Sequence, residues 1–152
     1  MLSEDFVPAT KHDDVSWHYQ SAHGLFLIFG RWNNAAAHIA LYLRWIIEGG
    51  LMGPSLVGFP EGKDMVERAR AGEITYTSLL RWNDGKLVSH MLTSEADEFT
   101  KSFYDAYLEK LESLFPGFPL RKPETAYRYH EIKKMIDIEY ENWKCRSGRP
   151  TS

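Results

Sequence analysis

The stretch NNAAAHIALYLRWIIEGG, residues 33–50, is one of the two most apolar in the chain. Its apolar residues recur at helical spacing and cover most of the helix circumference, which is typical of a helix surrounded by other elements. These residues are Ala36, Ile39, Ala40, Leu41, Leu43, Ile46 and Ile47. Asn33 or Asn34 can cap the start, and Gly49 and Gly50 favour the left-handed backbone that ends helices. The pattern predicts a buried central helix.

Shorter helical patterns follow the central one. PEGKDMVERARAGE, residues 60–73, is amphipathic and ends near Gly72, and Thr75 can cap a further helix through YTSLLRW, residues 76–82. The Asp-Gly step in NDGK, residues 83–86, favours a tight turn. Because its flanks do not alternate between apolar and polar residues, we expect this turn to connect two helices rather than to close a hairpin.

The second half of the chain predicts two long helices. Ser94 and Asp97 resemble a capping box at the start of EADEFTKSFYDAYLEKLESLF, residues 95–115. A last helix is predicted from about Thr125 to Lys144, with apolar and aromatic residues at helical spacing.

These patterns together predict a mainly α fold, with one domain over residues 1–152. Four to five helices surround the central one, residues 24–30 form a short strand or a loop, and residues 1–12 and 145–152 are flexible ends. The composition supports a real core, since 43% of the residues are apolar and 14% are aromatic.

Charge and cysteine content exclude several classes of protein. With 18 Lys and Arg against 21 Asp and Glu the net charge is −3, which disfavours binding to nucleic acid or to an anionic membrane. Cys145, the single cysteine, forms no internal disulfide, as is usual in a reducing compartment. The opening MLSEDFVPATKHDD has no apolar run and predicts no signal peptide. We therefore expect a cytoplasmic protein.

The candidates for chemistry are concentrated near the N-terminus. His and Asp are suitable ligands for zinc or iron. The cluster consists of His12, Asp13, Asp14, His18 and His23. The histidines are six and five residues apart, however, and not at the spacing of three or four that places two ligands on one helical face. The spacing favours a structural role, in which Asp14 or Ser16 caps the chain and Trp17 and Tyr19 enter the core.

No nucleophile motif or phosphate loop accompanies these residues, so the sequence predicts no catalytic residues and no cofactor. His38 is interpreted as a core histidine with a hydrogen-bond partner. The alternative is a His/Asp site built from Asp14, His18 and His38, with or without a metal.

The acidic residues suggest an interaction surface. Between Glu95 and Glu112 there are six acids and two bases, a local balance of −4. Such a run is either a solvated face or a docking surface for a basic partner.

Several short motifs resemble, in order and spacing, a family of small bacterial proteins of unknown function. They are DDVSWHY at 13–19, the helix around His38 with Leu43-x-Trp45, DGKL at 84–87 and a closing helix that ends in Trp143-Lys144. The resemblance covers nearly the whole chain and implies an association with toxin–immunity loci. After DDVSWHY this chain has the apolar GLFLIFGRW where the family pattern has an acidic stretch with proline, which suggests a partner-specific surface there.

The leading hypothesis is therefore an immunity protein, not an enzyme, that binds and neutralises a cognate toxin as a monomer or a homodimer. The residues predicted to contact the toxin are Phe26, Phe29, Trp32, Trp82, Asp97, Glu98, Asp105 and Glu109. A small His/Asp enzyme and a homodimeric scaffold module are the alternatives.

Overall fold

A computed structural model describes residues 9–22 and 29–151, and of Phe29 it describes the backbone only. In chain order the elements are β1 (Lys11–Asp14), α1 (Val15–His18), α2 (Phe29–Glu48), α3 (Pro54–Val57), α4 (Pro60–Arg70), α5 (Tyr76–Trp82), β2 (Lys86–Val88), α6 (Ser94–Leu114) and α7 (Tyr129–Arg146). Short 3₁₀ turns lie at Tyr19–Ser21, Ser89–Met91 and Glu124–Ala126. The described residues thus contain five helices of seven or more residues and two single-turn helices, which confirms the mainly α prediction.

The central helix is α2, and nearly all of it from Ala35 to Ile47 is buried. It ends as predicted, at Gly49 and Gly50, where Gly50 has a φ of 70°. Its predicted start is wrong, because the helix already includes Phe29. Asn34 therefore lies inside the helix and uses its side-chain amide to donate to the backbone oxygen of Arg121, at 3.1 Å.

Helices α6 and α7 pack against α2 through aromatic side chains. The Trp45 ring lies 5.7 Å from that of Phe99 and 5.3 Å from that of Tyr140, measured between centroids. The Trp45 indole also donates to a carboxylate oxygen of Asp137, at 2.8 Å. These contacts join three long helices, and the hydrogen bond to Asp137 gives the buried indole the acceptor that it needs.

The two strands join the N-terminal segment to the middle of the chain. Strands β1 and β2 are antiparallel, with Asp13 opposite Leu87 and Asp14 opposite Lys86. The register is irregular between Lys11 and Asp13. This sheet was not predicted, because its strands are short and distant in sequence.

The turn at 83–86 forms as predicted, with Asp84 and Gly85 at φ values of 60° and 71°. It leads from α5 into β2, however, so the prediction that it connects two helices is wrong. The pairing of β2 with β1 makes the segment after Gly85 extended, and the Gly85 oxygen accepts from the Val15 amide at 2.9 Å.

Helix starts were predicted with mixed success. Thr75 caps α5 as expected, since its hydroxyl accepts from the Ser78 amide. The cap of α6 is Thr93 and not Ser94, because the Thr93 hydroxyl accepts from the Ala96 amide. The last helix begins at Tyr129, after a 3₁₀ turn that occupies the predicted start near Thr125.

Two further predictions concern segments that lie partly outside the residues described by the structure. Of the predicted strand or loop at 24–30, residues 29–30 belong to α2 and residues 24–28 are not among the described residues. Of the expected flexible ends, residues 11–12 lie in β1 and residues 145–146 lie in α7. Among the helices within 9–22 and 29–151, none combines the length and the apolar character needed to cross a membrane.

Candidate functional site

The carboxylate of Asp13 is the meeting point of four hydrogen-bond donors. Its Oδ1 lies 2.6 Å from Nε2 of His18 and accepts from the Asp14 amide at 2.7 Å. Its Oδ2 lies 2.9 Å from Nε2 of His38 and accepts from the Tyr104 hydroxyl at 2.7 Å. We call Asp13, His18, His38 and Tyr104 the Asp13 cluster.

Four elements bring the cluster together. Asp13 lies on β1, which pairing with β2 holds in place, and His38 and Tyr104 come from α2 and α6. His18 ends α1, whose start is fixed by Asp14. The rings of His18 and His38 meet edge to face with centroids 4.5 Å apart.

The local electrostatics favour an ionised carboxylate beside a neutral imidazole. Burial of Asp13 opposes its ionisation, but the hydrogen bonds from His18 and His38 outweigh burial and hold the pKa of the carboxyl well below its usual range. Burial lowers the pKa of His38, and the neighbouring Asp13 carboxylate, which favours the charged ring, does not offset this. Burial raises the pKa of Tyr104, so its phenol remains a donor.

One polar atom of the cluster is left over. The Nδ1 atom of His38 is buried and has no hydrogen-bond partner among the residues that the structure describes. If Nε2 carries the proton given to Asp13, Nδ1 presents a bare lone pair. An unpaired buried polar atom lowers the stability of the fold by about 1–3 kcal/mol. The hydrogen bonds of the cluster therefore leave His38 with one unsatisfied ring nitrogen.

Among the histidines and the aspartate of the cluster, His18 is the most exposed. Its side chain is 20% exposed, whereas the side chains of Asp13 and His38 are 3% and 0% exposed. Of these three side chains only His18 therefore reaches the surface, and the fourth member of the cluster, Tyr104, is half-buried.

The structure places the predicted metal candidates only in part as expected. His18 and His38 do meet, but the acid between them is Asp13 rather than Asp14. Successive side chains of a strand point to opposite faces, so only one of two adjacent acids can join the cluster. Asp14 instead caps α1, as the structural interpretation predicted, and pairs with Lys11 at 2.9 Å.

The other N-terminal histidines do not join the cluster in the described part of the chain. His12 contacts Oδ1 of Asp97 through Nε2, at 2.6 Å. His23 lies outside the described residues.

The predicted aromatic contact residues are in different environments. Phe26 and the side chain of Phe29 lie outside the described residues. Trp32 is half-buried, with the Arg81 guanidinium 3.8 Å from its ring centroid. Trp82 is 40% exposed and is the predicted aromatic residue that the structure leaves open to a partner.

Of the predicted acidic contact residues, two form ion pairs and two form none among the described residues. Asp97 is held by His12, and Glu98 forms an ion pair with Arg149. Asp105 and Glu109 are exposed and have no ion pair within residues 9–22 and 29–151.

Sequence reasoning also misplaced Trp17 and missed Tyr104. Trp17 was expected in the core but is 57% exposed, because Val15 and His18 form the inward face of the single turn α1. Tyr104 adjoins the apolar stripe of α6, and a phenol in such a place needs a buried partner. The need of this phenol for a buried partner was therefore the one feature of the sequence that could have indicated its contact with Asp13.

Comparison with known protein families gives a match for this chain. The sequence profile of a domain of unknown function, DUF7832, matches residues 11–124. The chain belongs to the DUF7832 family. The matched part includes all four residues of the Asp13 cluster and ends before α7. No curated protein and no solved structure matches this DUF7832 protein.

Proposed function

We propose that this protein is an immunity protein, which binds a cognate bacterial toxin in the cytosol and neutralises it. The resemblance described for the sequence motivates the proposal. The observation that carries it in the structure is the exposed pair Asp105 and Glu109 on α6, which forms no ion pair within residues 9–22 and 29–151, as expected of a side that receives a basic protein.

The acids along α6 divide into two groups. Glu95, near the start, accepts from the Tyr140 hydroxyl. Asp97 and Glu98, which follow it, also have partners within the fold. Asp105 and Glu109, four residues apart, lie on one helical face and are exposed. Their charge is available to steer a partner.

The first experiment is a co-purification. The tagged chain is produced together with the untagged products of the genes that neighbour its own, and the eluate is analysed by size exclusion and mass spectrometry. We expect a stoichiometric complex. Recovery of the tagged chain alone, at micromolar concentrations of both proteins, would contradict the proposal.

The α6 surface is tested by charge reversal. We expect the double substitution Asp105→Lys, Glu109→Lys to slow association by about 10-fold at low salt, with a smaller effect at high salt. The double substitution Glu61→Lys, Glu67→Lys on α4 is the matched control, because it changes the net charge equally and both acids are exposed without an ion pair in the described part of the chain. Equal effects of the two variants would remove α6 from the interface.

A second candidate is an enzyme that reverses the modification made by a toxin. The specific observation in its favour is the contact of His18 and His38 with one buried carboxylate. An enzyme protects when it is much less abundant than the toxin, whereas a binder must match the toxin in amount. Titrating protection in cells against the ratio of the two proteins therefore separates these functions.

A further inference from the structure

Three possible metal ligands converge from three different elements. One ligand atom each from Asp13, His18 and His38 can be chosen so that all three lie within 4.8 Å of one another. Within residues 9–22 and 29–151 this is the one such group of His, Cys, Asp or Glu side chains. We propose that these three residues form a binding site for a divalent first-row transition-metal ion.

The distances suit an ion after a small adjustment. Ligand atoms about 2.0–2.2 Å from a tetrahedral ion lie roughly 3.4 Å apart. The Nε2 atoms of His18 and His38 lie 2.6 and 2.9 Å from the two oxygens of Asp13. Opening these contacts by about 1 Å is enough, and His18 can move because it ends a single-turn helix and reaches the surface.

The hydrogen bonds of the cluster use Nε2 of His38 and leave its Nδ1 atom unpaired among the described residues. Asp13 is satisfied by its four donors, but Nδ1 of the buried His38 has no partner in the described residues. An ion bound to Nε2 would take the lone pair that faces Asp13, and Nδ1 would then carry the ring proton. The Tyr104 hydroxyl and the Asp14 amide stay on the carboxylate and orient it, as second-sphere groups do in metal sites.

The ligand set indicates which ions fit. Two imidazoles and one carboxylate favour Zn²⁺, Fe²⁺ or Co²⁺ over Ca²⁺ and Mg²⁺, which prefer oxygen ligands alone. Three protein ligands leave at least one coordination position for water or another molecule, as in catalytic rather than structural sites. That position can be reached from solvent along His18, the exposed member of the set.

This inference is independent of toxin binding, and the enzyme alternative rests on it if that enzyme uses a metal. A toxin complex that forms in the presence of a chelator would support the binder without affecting the metal site. Metal binding by the isolated chain would support the site without a toxin.

The experiment uses the full chain, purified without a polyhistidine tag and stripped with chelator. Co²⁺ is added while visible absorption is recorded, and Zn²⁺ is then used to displace it. We expect one equivalent of Co²⁺ with an absorption band of nitrogen and oxygen coordination. His18→Ala should weaken binding by at least about 100-fold, since a direct ligand matters no less than an outer-sphere group.

The chain offers a matched control in His12. His12 also contacts a carboxylate at 2.6 Å, but it belongs to no group of three ligands among the described residues. His12→Ala should therefore leave Co²⁺ affinity unchanged, and Tyr104→Phe should weaken it by about 10–100-fold through the orientation of Asp13. Circular dichroism checks folding, and His18→Gln replaces His18→Ala if that variant unfolds.

Three results would overturn the proposal. The first is a wild-type chain that binds no Co²⁺ or Zn²⁺ up to millimolar concentration. The second is undiminished binding by folded His18→Ala or His18→Gln. The third is an equal loss in His12→Ala, which would show that the ion lies elsewhere or binds nonspecifically.

Discussion

The Asp13 cluster and the His12–Asp97 pair contain the same contact in different surroundings. In each, a histidine Nε2 lies 2.6 Å from an aspartate oxygen. The Asp97 side chain is 16% exposed and also pairs with Lys101 at 3.3 Å, near solvent. Asp13 is buried and receives a second histidine and a tyrosine instead.

The equal distance of 2.6 Å between histidine nitrogen and aspartate oxygen therefore does not show that the two sites have the same chemistry. What separates the two sites is how many groups converge on the carboxylate and whether water can replace them. At Asp97 a lysine and solvent compensate the charge, while at Asp13 fixed protein donors do so alone. Only the second arrangement makes each member depend on the others.

The largest expected difference comes from removing each carboxylate. Asp13→Ala leaves several buried donors without an acceptor and should lower the free energy of unfolding by about 3–5 kcal/mol. Asp97→Ala should cost about 1–2 kcal/mol, because Lys101 and solvent adapt. Urea denaturation of both variants measures this. Similar losses of unfolding free energy in the two variants would mean that the burial of Asp13 does not increase its contribution to stability.

The next effect is a dependence of stability on pH in protein stripped of metal. His38 faces the Asp13 carboxylate and the His18 ring, and its pKa is lowered in the fold from the ordinary 6.5. Unfolding therefore takes up a proton, so stability is fully present above about pH 6.5 and falls as the pH decreases below it. The depressed pKa of Asp13 adds a loss of the same sign at more acidic pH.

Urea denaturation between pH 7.5 and 5 in the presence of chelator measures this slope. The slope should be smaller in His38→Gln than in the wild-type chain. An unchanged slope would assign the pH dependence to groups outside the Asp13 cluster.

A smaller effect is expected from single hydroxyl groups. Tyr104 donates to a buried carboxylate, so Tyr104→Phe should cost about 1.5–3 kcal/mol. Tyr107 donates at 2.9 Å to the backbone oxygen of His38, a neutral acceptor, and Tyr107→Phe should cost about 0.5–1.5 kcal/mol. Thermal or urea unfolding distinguishes the two, and the reverse order would argue against an ionised Asp13.

The smallest effect should come from Lys101. Its amine is exposed and pairs with the partly exposed Asp97, so Lys101→Ala should change stability by no more than about 0.5 kcal/mol. A larger loss in a thermal melt would mean that the His12–Asp97 pair is as interdependent as the Asp13 cluster.

The acids of the N-terminal motif show where sequence reasoning reached its limit. The sequence favoured a capping role for Asp14 or Ser16, and the Asp14 cap is present. It named His18 and His38 as a possible site, and they are in contact. It placed Asp14 rather than Asp13 in that site, and it predicted no strand at residues 11–14. Without the strand, nothing indicated that the two acids point to opposite faces.

The sequence by itself determined the mainly α class, the central helix with its end at Gly50 and the Thr75 cap of α5. These features depend on spacing and on residues within one or two turns. Only the tertiary structure decided that β1 pairs with β2, that Asp13 meets His18, His38 and Tyr104, and that Trp17 is exposed. Those outcomes depend on contacts between segments that are distant in sequence. Local sequence patterns do not indicate which of these segments will be in contact.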